Sequence, residues 1–339
     1  MKSLRLNKPG EFEFINTDFT PVLAPNEALI KVHRIGICGT DYHAYRGKQP
    51  FFSYPRVLGH ELGAEIVALG DAVATLQIGD KVSVEPYLNC GECHACKRGH
   101  INCCENIQVM GVHTDGGMAE FVKVPAHKLH SSKVLSYDQL ALVETLGIGA
   151  HAVERAKVTQ DDVVLIIGTG PIGLSVLEFA KIRKAKVVVM DMSQHRLDFA
   201  TQEMGADLGI LVNPDFTEDN LREVLGGELP TAVFDATGNP ASMMKAFSFV
   251  AFAGRLTFVG LFQGEVTFND PLFHRREMTL LASRNSMPNN FKEIIDYMEK
   301  GLINTDLWIT HRANFDEIPT AIEEWLNPAS GVIKAVVSL

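Results

Sequence analysis

The segment VVLIIGTGPIG, residues 163–173, decides the fold class of this chain. An apolar, β-like run leads directly into Gly168, Gly170 and Gly173 in the pattern G-x-G-x-x-G, and a helix-like stretch follows. In such a pattern the first glycine permits a tight turn, the second lets the backbone approach a pyrophosphate, and the third lets the helix pack on the strand. The helix N-terminus directs N–H groups at the phosphates. The segment therefore predicts a dinucleotide site that includes Ile172 as well as the three glycines.

An acidic residue at the end of the next strand indicates which dinucleotide is bound. Asp191 lies eighteen residues past Gly173, where a carboxylate meets the hydroxyls of the adenosine ribose. An acid at this place repels a 2′-phosphate, so the sequence favours NAD over NADP. NADP remains an alternative cofactor, because Arg196 lies nearby and an arginine there can bind the 2′-phosphate.

Two kinds of pattern divide the rest of the chain. From about residue 150, apolar runs such as KVVVMD and AVFDATG alternate with helix-like stretches, which predicts a doubly wound parallel sheet. Residues 1–145 instead carry short β-like runs separated by glycine and proline, which is typical of a largely antiparallel β domain. After residue 283, two helix-like segments and the run GVIKAVVSL either extend the second domain or return to the first.

Composition and charge exclude several function classes. At 339 residues the chain is too long for one ordinary core, and two domains are expected. The net charge of −10 argues against nucleic acid and anionic membrane as partners, because phosphate binding requires a basic face. No apolar run approaches the ~18 residues that span a bilayer, and the N-terminus lacks the features of a signal peptide. We therefore expect a cytoplasmic protein.

A cysteine cluster predicts a structural zinc site. Cys90, Cys93, Cys96 and Cys104 follow the spacing C-x2-C-x2-C-x7-C, and four thiolates this close complete a tetrahedral zinc shell. An iron–sulfur cluster is disfavoured, because its usual fourth cysteine comes three residues on and precedes proline. Disulfides are disfavoured in a reducing compartment. Cys103 remains an alternative to Cys104 as the fourth ligand.

A second set of potential ligands is spread over the first domain. Cys38 lies in GICGTDYH, His60 in GHE and Glu144 in ALVETLGIG. A sulfur, an imidazole and a carboxylate are what a catalytic zinc uses when one position stays open for water or substrate. A cysteine–histidine nucleophile is the alternative, but no acyl-transfer motif accompanies it. Because the same chain carries a dinucleotide motif, a catalytic zinc is favoured over a cysteine–histidine nucleophile.

The order of these motifs resembles the zinc-dependent medium-chain alcohol/polyol dehydrogenases over essentially the whole chain. The matching motifs are GICGTDYH, GHE, the four-cysteine lobe, DGGMAEF, and GTGPIG followed by Asp191. The resemblance implies an α/β protein with a GroES-like, β-rich catalytic domain over residues 1–147 and a structural zinc lobe at about 88–106. It also implies a Rossmann NAD-binding domain over 148–286, a return to the catalytic domain over 287–339, and a homodimer or homotetramer.

The resemblance also implies roles for individual residues. Cys38 and His60 are implied ligands of a catalytic zinc, and either Glu61 or Glu144 is the third ligand. Thr40 and His43 match the branch that passes the substrate proton outward, and some members use a carboxylate such as Glu144 only for proton relay. The remaining implied cofactor-binding residues, at the nicotinamide, are Val259, Gly260, Leu261, Ser283 and Arg284. For an acidic substrate, the Arg284 guanidinium is also a candidate clamp for the carboxylate.

Three segments narrow the expected substrate. Glu144 lies near the place where simple alcohol dehydrogenases have a cysteine, which points to polyhydroxylated or amino-alcohol substrates. RGKQPFFSYPRVLGHE, GVHTDGG and FHRREMTLLASRN resemble the bacterial L-galactonate/L-gulonate 5-dehydrogenase (starvation-sensing) subgroup. We therefore predict zinc- and NAD-dependent oxidation of a hexonate secondary alcohol to the ketone. The alternatives are a sorbitol-like polyol or L-threonine as substrate, and a catalytically idle NAD-binding regulator, against which the retained ligand residues argue.

Overall fold

The computed structural model describes residues 1–50 and 52–339, so that Phe51, within one of the subgroup segments, lies outside the described residues. The strands in chain order are β1 (Lys2–Lys8), β2 (Glu11–Asn16), β3 (Glu27–Ile37), β4 (Arg56–Val57), β5 (Glu61–Leu69), β6 (Lys81–Val84), β7 (Tyr87–Leu88), β8 (Gln108–Val109), β9 (Phe121–Pro125), β10 (Leu129–Ser131), β11 (Val163–Ile167), β12 (Lys186–Asp191), β13 (Leu208–Leu211), β14 (Ala232–Asp235), β15 (Arg255–Phe258), β16 (Thr279–Ala282), β17 (Ile309–Asn314) and β18 (Lys334–Ser338). The helices in chain order are α1 (Gly39–Tyr45), α2 (His94–Lys97), α3 (Tyr137–Arg155), α4 (Pro171–Ile182), α5 (Gln194–Asp198), α6 (Glu218–Leu225), α7 (Pro240–Ala246), α8 (Asp270–Arg275), α9 (Pro288–Glu299) and α10 (Ile318–Trp325). Across the described ranges, no helix combines the length and apolar character needed to cross a membrane.

The chain forms two compact units. One unit contains Met1–Thr145 together with Ser286–Leu339, and the other contains Leu146–Asn285. The first unit therefore consists of two separate stretches of sequence. The predicted domain boundaries, after residues 147 and 286, lie within two residues of these limits.

The unit Leu146–Asn285 is built on a parallel sheet in the order β13-β12-β11-β14-β15-β16. Counted from β11 as the first strand, this is the 3-2-1-4-5-6 order of the Rossmann fold. Val164, Leu165 and Ile166 in the central strand β11 are fully buried. Burial on both faces explains why the sequence shows continuous apolar runs here rather than alternation. The predicted doubly wound parallel sheet is confirmed.

The strand order of this sheet reverses at β11, which pairs with both β12 and β14. Ligands of open parallel sheets bind beyond the carboxyl ends of the strands at such a point. Gly168 directly follows β11, Asp191 is the last residue of β12, and Asp235 is the last residue of β14. The sheet thus gathers these three residues at one edge.

The unit that contains both chain ends is centred on a sheet of order β10-β6-β5-β3-β18-β17, with β9 also paired to β3. Most of its pairs are antiparallel, as predicted, while β17 and β18 run parallel. The terminal strand β18 pairs with β3, with Ala335 opposite Ile37. The C-terminal tail therefore returns to the first unit, and it lies next to the strand that leads into Cys38.

Candidate active site and metal centres

The glycine-rich loop forms an open cradle at the N-terminus of α4. Gly168 has a φ of +90°, which favours glycine. A Cβ at Gly173 would lie 1.8 Å from the carbonyl oxygen of Gly168, so that this position excludes any side chain. A Cβ at Gly170 would meet nothing closer than Nη1 of Arg196, at 3.9 Å, and no side chain caps the helix there. The loop fits the pyrophosphate of a dinucleotide, because backbone N–H groups face free space at a helix N-terminus.

The Asp191 carboxylate is tied to this loop through a residue that sequence reasoning missed. Thr169, which is fully buried, donates to Oδ2 of Asp191 from its N–H (2.7 Å) and from its hydroxyl (2.8 Å). The N–H of Ser193 donates to Oδ1 at 2.9 Å. The only sequence signal for Thr169 is a hydroxyl residue between the first two glycines. Asp191 and Arg196 thus both lie beside the glycine loop.

The other residues predicted to bind the cofactor follow the neighbouring strands. Val259, Gly260 and Leu261 come directly after β15, and Ser283 and Arg284 come directly after β16. These are carboxyl ends of parallel strands, so that both segments lie at the edge of the sheet that carries Gly168. In the first segment the Leu261 side chain is 69% exposed.

The four predicted cysteine ligands meet. The sulfur atoms of Cys90, Cys93, Cys96 and Cys104 lie within 4.8 Å of one another. Backbone N–H groups approach the sulfurs, with the N–H of Cys96 3.5 Å from Sγ of Cys93 and that of Cys90 3.3 Å from Sγ of Cys104. Four sulfurs at this separation are a donor set for tetrahedral zinc. Cys103 is exposed and lies outside the group.

Local electrostatics favour thiolate at one of these sulfurs. Hydrogen bonds from the N–H groups of Cys96 and Glu105 lower the pKa of Cys93 to about 6. Burial raises the pKa of Cys96 to about 11. Because zinc binds the thiolate form, binding at the buried sulfur displaces a proton.

Cys38, His60 and Glu61 form a second group, with ligand atoms within 4.8 Å of one another. The antiparallel pairing of β3 with β5 places Gly36 opposite Glu61, which brings the end of β3 beside GHE. His60 is 5% exposed, and its Nδ1 has no hydrogen-bond partner among the described residues. A buried imidazole nitrogen next to a thiol and a carboxylate requires a partner, and these donors fit a zinc ion.

Asp41 is a further acidic residue of this centre that sequence reasoning missed. It is fully buried, and its Oδ2 accepts the N–H of Cys38 at 2.9 Å, which fixes the start of α1. Burial raises the pKa of Asp41, while the nearby His60 opposes that change. Burial likewise opposes charge on His60, yet the neighbouring Cys38 and Asp41 raise the pKa of His60 well above its usual value. The available signal was a carboxylate three residues after Cys38, where it can cap a helix.

The two candidate third ligands have different surroundings. Glu61 forms an ion pair with Lys334, and both side chains are 1% exposed. Glu144 lies outside the group of ligand atoms, and its Oε1 accepts a hydrogen bond from the hydroxyl of Tyr87. Burial opposes ionisation of Glu61, yet Lys334 lowers the pKa of Glu61, whereas burial raises the pKa of Glu144. Two adjacent carboxyl groups with opposite shifts are suited to different roles.

Comparison with known proteins places the chain in a family. Residues 24–134 match the alcohol dehydrogenase GroES-like domain, and residues 171–300 match the zinc-binding dehydrogenase domain. The chain belongs to the zinc-dependent medium-chain alcohol dehydrogenases.

Several relatives of this dehydrogenase cover nearly the whole chain. L-Galactonate-5-dehydrogenase of Escherichia coli K12 is 43% identical over 318 residues, which is 94% of this chain and 93% of that protein. L-Threonine 3-dehydrogenase of Pyrococcus horikoshii is 33% identical, covering 95% of this chain and 94% of that one. The alcohol dehydrogenase RspB of Escherichia coli, solved in complex with NADH, matches with a TM-score of 0.93 and 31% identity, over 100% of this chain and 99% of that chain.

The dehydrogenase is thus an oxidoreductase that acts on the CH–OH group of a small-molecule alcohol, with zinc and NAD as cofactors. The predictions of zinc, NAD and a GroES-like domain joined to a Rossmann domain are confirmed. The predicted family and its L-galactonate dehydrogenase subgroup are confirmed as well.

Thr40 and His43 of the dehydrogenase lie three residues apart on α1, on the same face of the helix. Partial burial lowers the pKa of His43, and the neighbouring cations Arg46 and Lys48 lower it further. A histidine whose pKa is below its usual value is neutral at pH 7 and can accept a proton.

Replacing one sulfur of the four-cysteine group is expected to remove a single zinc ion. Cys93→Ser should lower bound zinc from about two ions per chain to about one and lower the melting temperature, because a structural zinc contributes to folding free energy. Metal analysis and thermal unfolding measure both effects. Cys103→Ser is the matched control and should leave both unchanged, since Cys103 lies outside the group. Retention of two ions in Cys93→Ser would contradict the assignment.

Removing the acid at the end of β12 is expected to change cofactor choice. Asp191→Ala should raise the KM for NAD about tenfold and narrow the preference for NAD over NADP, because the 2′-phosphate no longer meets a carboxylate. Steady-state kinetics with both cofactors give the ratio. Asp198→Ala, a matched change of an acid on α5, should leave the ratio unaltered. An unchanged ratio in Asp191→Ala would exclude its predicted role.

Proposed function

We propose that this dehydrogenase oxidises a secondary alcohol of a hexonate, such as L-galactonate or L-gulonate, to the ketone. The observation that carries the proposal is the 43% identity to L-galactonate-5-dehydrogenase over 94% of the chain. The acids near Cys38, such as Glu144, support the broader part of the proposal, a polyhydroxylated substrate, because its hydroxyl groups can donate hydrogen bonds to them.

In this proposal Cys38, His60 and Glu61 hold the catalytic zinc. A zinc ion held by these three side chains would supply Lewis-acid chemistry that favours ionisation of an alcohol. We assign the third ligand to Glu61 because its carboxylate belongs to the group of converging ligand atoms, whereas the carboxylate of Glu144 does not. Glu144, held by Tyr87, is then free to accept a hydrogen bond from the substrate.

The proton of the substrate hydroxyl leaves through α1. Thr40 accepts it at its hydroxyl and passes its own proton towards His43, which is neutral before transfer because its pKa is low. His43 is exposed, so that it can release the proton to water. Both steps use side chains of one helix.

We propose that the unit Leu146–Asn285 binds the cofactor. Gly168, Gly170, Ile172 and Gly173 receive the pyrophosphate, and Asp191 receives the adenosine ribose, with Arg196 beside it. Val259, Gly260, Leu261 and Ser283 orient the ring that accepts the hydride. Arg284, an exposed guanidinium after β16, is proposed to recognise the substrate carboxylate.

We further propose that the enzyme is a cytoplasmic homodimer or homotetramer. Strand β16 is the last strand of its sheet, and Leu280 within it is 39% exposed. An exposed apolar edge strand is a template for pairing with a second chain. Light scattering of the purified protein measures the oligomeric state directly.

A substrate panel tests the proposed function. Initial rates of NAD reduction with L-galactonate, L-gulonate, sorbitol and L-threonine should give the highest kcat/KM for a hexonate. Arg284→Ala should lower kcat/KM for the hexonate about thirtyfold more than kcat/KM for sorbitol, because only the hexonate carries a carboxylate. A higher kcat/KM for sorbitol or L-threonine would overturn the substrate assignment. L-Threonine remains the second candidate because of the 33% identity to L-threonine 3-dehydrogenase.

A further inference from the structure

Asp235 is a buried acid to which neither the family motifs nor the proposed mechanism gives a role. It is the last residue of β14 and is fully buried. Its Oδ1 accepts from the N–H of Thr237 (2.9 Å) and from the hydroxyl of Thr237 (2.7 Å). Its Oδ2 accepts from the hydroxyl of Ser242, in the first turn of α7, at 2.5 Å. The side chain thus fixes the turn between β14 and α7.

The backbone of the same residue fixes a second segment. The carbonyl oxygen of Asp235 accepts the N–H groups of Val259 (2.9 Å) and Gly260 (3.0 Å), the first two residues after β15. A Cβ on Gly260 would lie 2.3 Å from the nitrogen of Gly238, and one on Gly238 would lie 2.7 Å from the carbonyl oxygen of Leu261. The two segments are therefore in direct backbone contact, so that a shift of one displaces the other.

The turn after β14 also contacts the glycine-rich loop. A Cβ on Gly168 would lie 2.9 Å from the Cγ2 methyl of Thr237, and the N–H of Ala236 donates to the carbonyl of Ile167 at 2.9 Å. Thr237 is the residue that Asp235 holds by two hydrogen bonds. The turn that the Asp235 carboxylate fixes therefore contacts both the loop after β11 and the segment after β15.

We propose that Asp235 is a positioning residue for the dinucleotide, setting the separation between the glycine-rich loop and segment 259–261. The inference rests on the proposed role of those two segments in binding NAD. Asp235 itself, at 0% exposure, does not reach a ligand. Its carboxylate acts through Thr237 and Ser242, which hold the turn that contacts both segments, and its expected signature is weaker binding of NAD.

Asp162 provides a matched control at the opposite edge of the same sheet. It is 8% exposed and directly precedes β11, at the amino ends of the parallel strands. Its carboxylate accepts from the N–H of Thr159 (2.8 Å) and the hydroxyl of Thr231 (2.7 Å), and it pairs with Arg255 at 2.5 Å. Loss of either acid removes buried hydrogen bonds and lowers stability, but only Asp235 lies at the edge that binds the cofactor.

The test measures the Kd for NAD by calorimetry, without substrate, in Asp235→Ala, Asp235→Asn and Asp162→Ala. We expect Asp235→Ala to raise the Kd at least tenfold. Asp235→Asn should stay within about threefold of the natural protein, because the amide oxygen can accept from Thr237 and the amide NH2 can donate to Ser242. Asp162→Ala should lower the urea midpoint by as much as Asp235→Ala does, while its Kd stays within twofold.

Two results overturn the inference. One is a Kd for Asp235→Ala within twofold of the natural protein, and the other is an equal rise in Asp162→Ala, which would indicate a general loss of stability. If Asp235→Ala does not fold, Thr237→Val and Ser242→Ala each remove one bond to Asp235, and both must raise the Kd at least twofold. Because no substrate is present, a failure here is separate from a failure of the hexonate assignment, which only the substrate panel tests.

Discussion

Cys38→Ala is expected to abolish turnover and to lower bound zinc from about two ions per chain to about one. The Cys38 sulfur lies within 4.8 Å of ligand atoms of His60 and Glu61, so that its loss leaves only two protein donors. Two donors do not retain a catalytic zinc, which uses three protein ligands and one open position. We expect kcat to fall by a factor of about 10³ or more, because metal-assisted ionisation of the alcohol is lost.

Metal analysis of dialysed protein and steady-state rates measure both effects. Circular dichroism should show an intact fold, because the Cys38 side chain is only partly buried and its backbone still caps α1 through Asp41. Cys103→Ala is the matched control, since Cys103 is exposed and belongs to neither ligand group. Two zinc ions retained in Cys38→Ala would show that Cys38 is not a ligand.

Lys334→Met is expected to produce the largest loss of stability. Lys334 and Glu61 are each 1% exposed and form an ion pair, with Nζ 2.6 Å from Oε1 of Glu61. Removal of one partner leaves a buried carboxylate without its cation, which costs about 3–5 kcal/mol. Urea unfolding should show that decrease in the free energy of unfolding when Lys334→Met is made in the Cys38→Ala protein, where no catalytic zinc neutralises Glu61.

Lys128→Met is the control that separates stability from the reactive centre. Lys128 forms an ion pair with Glu85, and these side chains are 2% and 1% exposed. His130 also contacts Glu85, at 3.2 Å, so that the acid keeps one partner and the loss of stability should be smaller. Only Lys334→Met should also weaken zinc retention by the Cys38 group. If Lys334→Met cost less than about 1 kcal/mol, the ion pair would not be a structural element in solution.

Elements with local signals were predictable from sequence. The glycine loop, the parallel sheet and the four-cysteine group depend on residues close together in the chain or on the period of apolar residues, and the structure contains all of them. Strands β13 and β17 were not predicted. Strand β13 has only four residues, including a glycine, and β17 (ITHRAN) is partly exposed and polar, so that neither carries a strong apolar period.

The longest helix was also not predicted. The segment ALVETLGIG indicates only the position of Glu144 in the sequence, whereas in the structure it lies within α3, the 19-residue helix Tyr137–Arg155. Gly147 and Gly149 lower the helix propensity of this segment. Packing overrides that propensity, because the hydroxyl of Ser175 accepts the N–H of Gly149 and donates to the carbonyl of Leu146.

By itself the sequence determined the chemistry of this dehydrogenase, namely a thiol, an imidazole and carboxylates on a chain that also carries a dinucleotide fold. Only the tertiary structure decided how the acids are held. Lys334 and Glu61 lie 273 residues apart and meet across β3, which separates β5 from β18. The contact between Lys334 and Glu61 requires a glycine at position 36, because a Cβ on Gly36 would lie 2.1 Å from Oε2 of Glu61. The sequence of an apolar strand such as β18 does not specify its pairing partner, since it can form backbone hydrogen bonds with any buried strand. The partner of the Glu61 carboxylate is therefore set by sheet order and not by any local pattern.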